Sequence, residues 1–336
     1  MFIYLFVLTI FIILLNEFLT KKNFLLSETG DVHQKFASVT KVPLTGGVFI
    51  FLGLFYFINY NIYSFILFSS AVLILGIFSD LKLIKSASIR FLFQILIVLS
   101  FIVFNEIQIN DTRISLLDKI LNNNIINYAF VTFCILILIN GSNFIDGMNT
   151  LSSGYYLLII FIIFILNLNQ SIIFQENSIL YILFLLIPVF ILNFFNKIYL
   201  GDSGSYLLGF GFSIFLIDVY NLNPTISPFF VILLLWYPCY EILFSVLRKN
   251  TFNRSPMEPD NKHLHQLIFF YIKKKHKLKL LKANILTSQI INFYNIIIFF
   301  IGAQFIHYTD IQIFLIFINV IVYSFIYFKL YVFRYK

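Results

Sequence analysis

The chain has 336 residues, 60% of them hydrophobic and 11% charged, with 45 phenylalanines and a formal net charge of +8. A soluble domain carries about 25% charged residues, and a closed barrel alternates polar and apolar positions. Neither pattern is present, so the sequence reads as an all-α polytopic membrane protein whose positive charge belongs to loops and lipid headgroups, not to nucleic acid.

The first apolar run, 2–15, has no basic residue before it and no small-residue cleavage site after it. A retained first helix is expected there, not a signal peptide. Eleven membrane helices are predicted in chain order, over 2–19, 45–60, 62–78, 88–105, 124–140, 154–169, 177–195, 205–220, 226–247, 284–302 and 311–330. Several fall short of the roughly 20 residues that span a bilayer, and flanking Tyr, Asn and Lys can extend them by snorkelling. Between the fourth and fifth, 105–123 carries Ile114, Leu116, Leu117, Ile120 and Leu121, the pattern of a helix lying on the outer surface. Pro228 and Pro238 are expected to bend the ninth helix without ending it, because neighbouring helices can satisfy freed carbonyls. Cys134 and Cys239 lie inside apolar runs and read as small buried hydrophobes.

With the N-terminus outside, 21 of the 23 Lys and Arg residues fall on the cytoplasmic side, and only Arg113 and Lys119 remain outside. The positive-inside rule therefore predicts N-out, C-in. No internal repeat of the transporter kind is visible. The chain reads as one transmembrane domain over 1–336, with cytoplasmic loops near 20–45, 79–90, 140–154, 196–205 and 248–283.

Five polar stretches fall on that cytoplasmic side: "KVPLTGGVFIF" (41–51), "FSDLKLIKSASIR" (78–90), "NGSNFIDGMNTLSSG" (140–154), "NKIYLGDSGS" (196–205) and "NRSPMEPDNKHLHQ" (253–266). Singly, Asp80, Asp146 and Asp202 are ordinary helix caps or turn residues. Together they are three carboxylates from three separate loops, each flanked by Gly or Ser, at one interface. An ionised carboxylate inside a bilayer costs about 2.5–3.5 kcal/mol on insertion scales, so such groups belong at the membrane edge with a partner. Small residues let backbone N–H groups approach an oxyanion, and a helix N-terminus favours phosphate. Clustered carboxylates repel one another, and Mg²⁺ relieves them. That combination suits phosphoryl transfer.

His263 and His265, two residues apart, would diverge on a strand or a helix, and no Cys is near them to complete a zinc site. They read equally as solvated loop histidines or as groups for a phosphate or a sugar. The lysine-rich stretch 273–282 reads first as a patch for anionic headgroups.

"PLTGG", "SDLKLIKSASIR", "NFIDGMNTL", "KIYLGDSGSYLLG" and "PDNKHLHQ" stand in the order found in the polyprenyl-phosphate N-acetylhexosamine-1-phosphate transferases, which the chain resembles over most of its length. The resemblance implies transfer of a sugar-1-phosphate from a UDP-sugar to undecaprenyl phosphate with release of UMP. It also implies Mg²⁺ (or Mn²⁺), a bacterial plasma-membrane location with the active site on the cytoplasmic face, contact with membrane lipids, and compatibility with a homodimer. It casts Asp202 as the metal-binding carboxylate and Asp80 as the group that positions or deprotonates the lipid phosphate. Asp146 with Asn143 falls in the nucleotide-sugar and metal surroundings, so that Asp202, Asp80 and Asp146 form the expected metal set. Asn193 and Lys197 would face the nucleotide, and His263 and His265 would serve substrate recognition. Lys262 stands where an arginine is common, keeping the charge but not the bidentate geometry. Ser79 and Asn149 stand where family members often carry aspartates, and Asn149 is expected among the substrate-binding residues.

Three other expectations compete. A muramyl-pentapeptide donor is disfavoured because the last large loop has "HLHQ", not a histidine-rich run. A secondary transporter would place ionisable groups at mid-membrane, where only Glu241 and Asp218 are candidates. A scaffold leaves the three Gly/Ser-flanked aspartates unexplained.

Overall fold

The computed structural model describes residues 1–27, 41–56, 62–168, 178–251, 255 and 260–335. These form thirteen α-helices: α1 (Phe2–Lys22), α2 (Gly46–Leu54), α3 (Tyr63–Asp80), α4 (Ala87–Phe104), α5 (Ser115–Leu121), α6 (Asn124–Ile145), α7 (Leu151–Leu166), α8 (Ser178–Phe194), α9 (Gly201–Leu222), α10 (Pro228–Thr251), α11 (Leu264–His276), α12 (Leu280–Gln304) and α13 (Thr309–Tyr335). Eight of them (α1, α3, α4, α6, α9, α10, α12 and α13) are long and apolar enough to cross a membrane. α7 and α8 are apolar but shorter, at 16 and 17 residues, and α2 has nine. Each predicted membrane segment coincides with one of these eleven helices. The ends at 57–60, 169 and 177 lie outside the described residues.

Among the boundaries that differ from expectation, three lie where the polar stretches meet. α6 runs on through the polar residues 140–145, α9 begins at Gly201 instead of 205, and α10 continues to Thr251. The polar side chains there find partners across the bundle, so helix continues where the apolar pattern stops. Asn140 donates to Gln94 Oε1 at 2.8 Å, and Asn143 donates to Asp202 Oδ1 at 2.7 Å. α11 falls in a segment expected to be loop.

α9 occupies the centre, packed against α2, α3 and α6. Small residues let the backbones approach closely, as membrane helices require. A Cβ on Gly76 would stand 2.2 Å from Ser203 Cα, so α3 crosses α9 in direct backbone contact. Valine at 76 should force the two helices apart, and overpacking of this kind costs about 1–3 kcal/mol. Gly76→Val should therefore lower the melting temperature in detergent and broaden the size-exclusion peak, while Leu67→Val on the exposed side of α3 should do neither.

Pro238 lies inside α10 and lacks the N–H that would reach back to Leu234. The freed Leu234 carbonyl accepts the Tyr155 hydroxyl of α7 at 2.8 Å. The helix continues for the reason expected, a partner on a neighbouring helix. Pro228 is simply the first residue of α10.

The two ends of the bundle gather different loops. At one end Arg113 donates to the carbonyls of His307 (3.0 Å), Thr225 (2.9 Å) and Ile226 (2.8 Å), tying three connections together. At the other end the polar stretches meet around the start of α9. Gly46 N–H donates to the Tyr199 carbonyl at 2.9 Å, and Tyr199 N–H to the Pro43 carbonyl at 2.9 Å.

Candidate active site

Gly201 opens α9 with φ +69°, and a Cβ there would lie 2.7 Å from Asp80 Oδ2. Only glycine fits this turn, by conformation and by space. Asp80, the last residue of α3, uses both carboxylate oxygens to accept backbone N–H groups of α9. Oδ1 takes that of Asp202 at 2.8 Å and Oδ2 that of Ser203 at 3.1 Å. It caps a helix to which it does not belong, and its charge complements the positive end of that helix.

Asp202 then projects from the first turn of α9 into a ring of donors. Asn143 reaches Oδ1 at 2.7 Å and also bonds Ser205 Oγ at 3.1 Å. Oδ2 meets the Arg90 guanidinium at 3.1 Å, the Ser79 hydroxyl, and the Tyr206 hydroxyl at 3.4 Å. Ser79, in place of a family aspartate, thus donates to Asp202 instead of repelling it. Arg90 was not singled out from the sequence. A signal was available: it sits in the first turn of α4, where a cation opposes the helix dipole and needs an acid nearby.

Asp146 follows the end of α6 and is half-buried, and its carboxylate makes no hydrogen bond or ion pair with a described residue. Burial, with the Asp202 and Asp80 carboxylates close by, pushes its carboxyl well above the usual range. The three aspartates are therefore neighbours in electrostatic terms. They do not build the expected three-ligand metal set: among the described residues no group of three His, Cys, Asp or Glu side chains could hold an ion. The cause is visible in the bonds, since Asp80 turns its oxygens to the α9 backbone and Asp202 turns to Arg90 and Asn143. The donor chemistry still suits a hard cation, because Asp146 and Asp202 offer carboxylate oxygens and substrate phosphates can supply more.

Asn193, expected to face the nucleotide, and Asn149, expected to bind substrate, clasp a loop. Asn149 Nδ2 donates to the Asn193 carbonyl at 2.9 Å and to Asn196 Oδ1 at 3.2 Å, and Asn193 Nδ2 donates to the Ile198 carbonyl at 2.8 Å. Asn193 Oδ1 accepts the N–H of Thr150, a β-branched residue held at φ 64°. Asn292 donates to the Thr150 carbonyl at 3.0 Å from the other side. These amides hold a strained turn directly after the Asp146 segment.

Lys197 is exposed, and its backbone carbonyl accepts from Asn16 at 3.3 Å. Lys262 lies over the rings of Tyr331 and Tyr335 of α13, at 5.7 and 5.5 Å. Both rings belong to the C-terminal helix.

The two histidines do not diverge as expected. His263 precedes α11 in extended conformation, and its ring stacks parallel to that of His265, 5.6 Å away with 5° between planes. Both are buried, so neither is a solvated loop residue. Burial, with His263 alongside, pushes the His265 imidazole down to about 3, so it is neutral. His263 Nδ1 lies 2.9 Å from Glu241 Oε1, and its Nε2 lies 3.4 Å from Asp260 Oδ1. Burial opposes ionisation of Asp260, but His263, Arg248 and Lys249 hold its carboxyl below the usual range. Most of the stretch 252–259 lies outside the described residues.

A family model described as "Glycosyl transferase family 4" matches residues 61–220, the segment that holds Asp80, Arg90, Asn143, Asp146 and Asp202. The chain is thus similar to glycosyl transferase family 4 over this segment. It is 28% identical over 233 residues to an undecaprenyl-phosphate alpha-N-acetylglucosaminyl 1-phosphate transferase of Thermotoga maritima, covering 67% of each chain. A probable undecaprenyl-phosphate N-acetylglucosaminyl 1-phosphate transferase of Bacillus subtilis is 25% identical over 60% of this chain and 56% of its own length. The Salmonella typhi relative, another undecaprenyl-phosphate alpha-N-acetylglucosaminyl 1-phosphate transferase, is 24% identical over 68% of this chain and 65% of its own. The alignments thus span about two thirds or less of these relatives. The family match ends before α11, so the histidine pair and its carboxylates extend the family segment from outside it.

Proposed function

We infer that this protein transfers an N-acetylhexosamine-1-phosphate from a UDP-sugar to undecaprenyl phosphate, releasing UMP, as an initiating step of envelope polysaccharide synthesis. The observation that carries the reading is Asp202, held at the N-terminus of a central helix between Arg90 and Asn143, in a chain similar to this family. Phosphoryl transfer needs positioning and charge neutralisation more than covalent chemistry from the protein. Arg90 supplies positive charge for a diphosphate, and Asn143 fixes the Asp202 carboxylate. An oxygen of the lipid phosphate attacks the sugar-bearing phosphorus, the bond to the bridging oxygen breaks, and UMP leaves. A divalent cation on Asp202 and Asp146 would neutralise the diphosphate oxygens and favour the ionised form of Asp146. Glu241, one of the two candidates for a transport role, is hydrogen-bonded to His263.

The test is purified protein with undecaprenyl phosphate, Mg²⁺ and a panel of UDP-sugars, including UDP-N-acetylglucosamine and the muramyl-pentapeptide nucleotide. UMP should form with an N-acetylhexosamine donor, stop on chelation and return with Mg²⁺ or Mn²⁺. Turnover confined to the pentapeptide nucleotide would reassign the donor. Uptake of labelled nucleotide sugar into proteoliposomes without UMP would replace the reading with transport.

A further inference from the structure

We propose that Glu241 is a positioning residue of this site: through His263 it fixes where the His265 imidazole stands against the Asp146–Gly147 turn. Glu241 is 1% exposed, near the middle of α10. A carboxylate buried that deeply persists only with good partners. Its partners include His263 Nδ1 at 2.9 Å and the Leu264 backbone N–H at 3.3 Å, both at the start of α11. The opposite ring nitrogen of His263 faces Asp260, which is held by Arg248 at 2.7 Å. Arg248 in turn donates to the Lys262 carbonyl at 2.8 Å and to the Tyr327 hydroxyl of α13 at 2.9 Å. His263 is thus gripped on both nitrogens, and α11 starts from a fixed point.

His265 inherits that placement. Its ring stacks on His263 and is fully buried, and both of its nitrogens lack a hydrogen-bond partner. A Cβ on Gly147 would stand 2.7 Å from His265 Nε2, so the ring edge abuts the residue after Asp146. A buried polar group without a partner is costly, and a fold tolerates it where a ligand completes the bonding. A neutral imidazole offers one donor and one acceptor. Resting on the transferase reading, those two positions serve the polar groups of the nucleotide-sugar, and Glu241, which does not border Asp202, acts on donor binding instead of the transfer step.

The experiment compares wild type with Glu241→Ala and Glu241→Gln. Diethyl pyrocarbonate labelling, read by mass spectrometry, should modify the exposed His276 and His307 in all three proteins. His265 should be protected in wild type and in Glu241→Gln, which keeps an acceptor for His263, and should become labelled in Glu241→Ala. With UDP-N-acetylglucosamine and undecaprenyl phosphate, Glu241→Ala should raise the donor KM about 10-fold or more with kcat changed less, because a misplaced contact remote from the reacting atoms weakens binding. Glu241→Gln should restore most of it. A donor KM unchanged in Glu241→Ala, or His265 equally protected with and without the carboxylate, overturns the proposal. If the alanine variant does not fold, Glu241→Leu, which keeps the side-chain bulk but offers no acceptor, takes its place with the same overturning outcomes. A wild type that forms no UMP removes the transferase reading, while the labelling still decides whether Glu241 places His265.

Discussion

Asp202→Asn should reduce UMP release by about 10³-fold while the protein stays in the membrane with its helices intact, since loss of one preorganised electrostatic group is worth about 10²–10³ or more in turnover. The substitution keeps the shape of the side chain and one oxygen. Asn143 can still donate to that oxygen, and the neighbouring first turn of α9 keeps its cap from Asp80. What disappears is the charge. Arg90 loses the carboxylate at 3.1 Å, and an amide group now faces two donors, the guanidinium and the Ser79 hydroxyl. Both ends of the ion pair are about a quarter exposed, at 27% and 26%. A pair open to solvent contributes about 0–1 kcal/mol, so stability should move little. Membrane fractionation, circular dichroism and a UMP assay on the same preparation separate the effects. Turnover close to wild type would make Asp202 a helix-terminus residue and nothing more.

Much of this arrangement follows directly from the chain, and the reason is physical. Apolar length reports membrane segments without knowledge of partners, so each predicted segment coincides with a helix. α11 escaped because it is short and half polar. Leu264, Leu267, Phe269 and Ile272 are buried along it, but Lys273, Lys274 and Lys275 in its last turn drew attention as a headgroup patch. Those lysines also suit the negative end of that helix. The five polar stretches could be assigned to one side by counting charges, and they do meet. Which atom bonds which could not be read. Arg90 and Asp202 are 112 residues apart, and Asn149 and Asn193 are 44 apart, with nothing in local pattern to pair them. The same limit hid the clasp that Asn149 and Asn193 form on a strained turn. It also hid the partners of Glu241, which stand at the start of α11.

Asp80→Ala should both destabilise the protein and end turnover, and the comparison with Asp80→Asn tells which role comes first. Removing the carboxylate strands two N–H groups at the start of α9, and loss of a cap costs about 0.5–2 kcal/mol. Here the cost should fall at the upper end, because Gly201 at φ +69° is packed against that carboxylate and α9 is the central helix. Asparagine can accept one of the two N–H groups with its oxygen but must set its amide against the other. Asp80→Asn should therefore lie between wild type and alanine in melting temperature. Chemistry gives no demand for a base at this position: a phosphate monoester has a second pKa of about 6, so the lipid acceptor is already largely dianionic at neutral pH. With both oxygens of Asp80 engaged by α9, its effect on turnover should run through the placement of Asp202. Activity across the three proteins should then track the thermal stability of α9, with no shift of the pH–rate profile. An asparagine variant as stable as wild type yet inactive, or one whose activity returns with rising pH, would instead make Asp80 the group that takes the acceptor's proton.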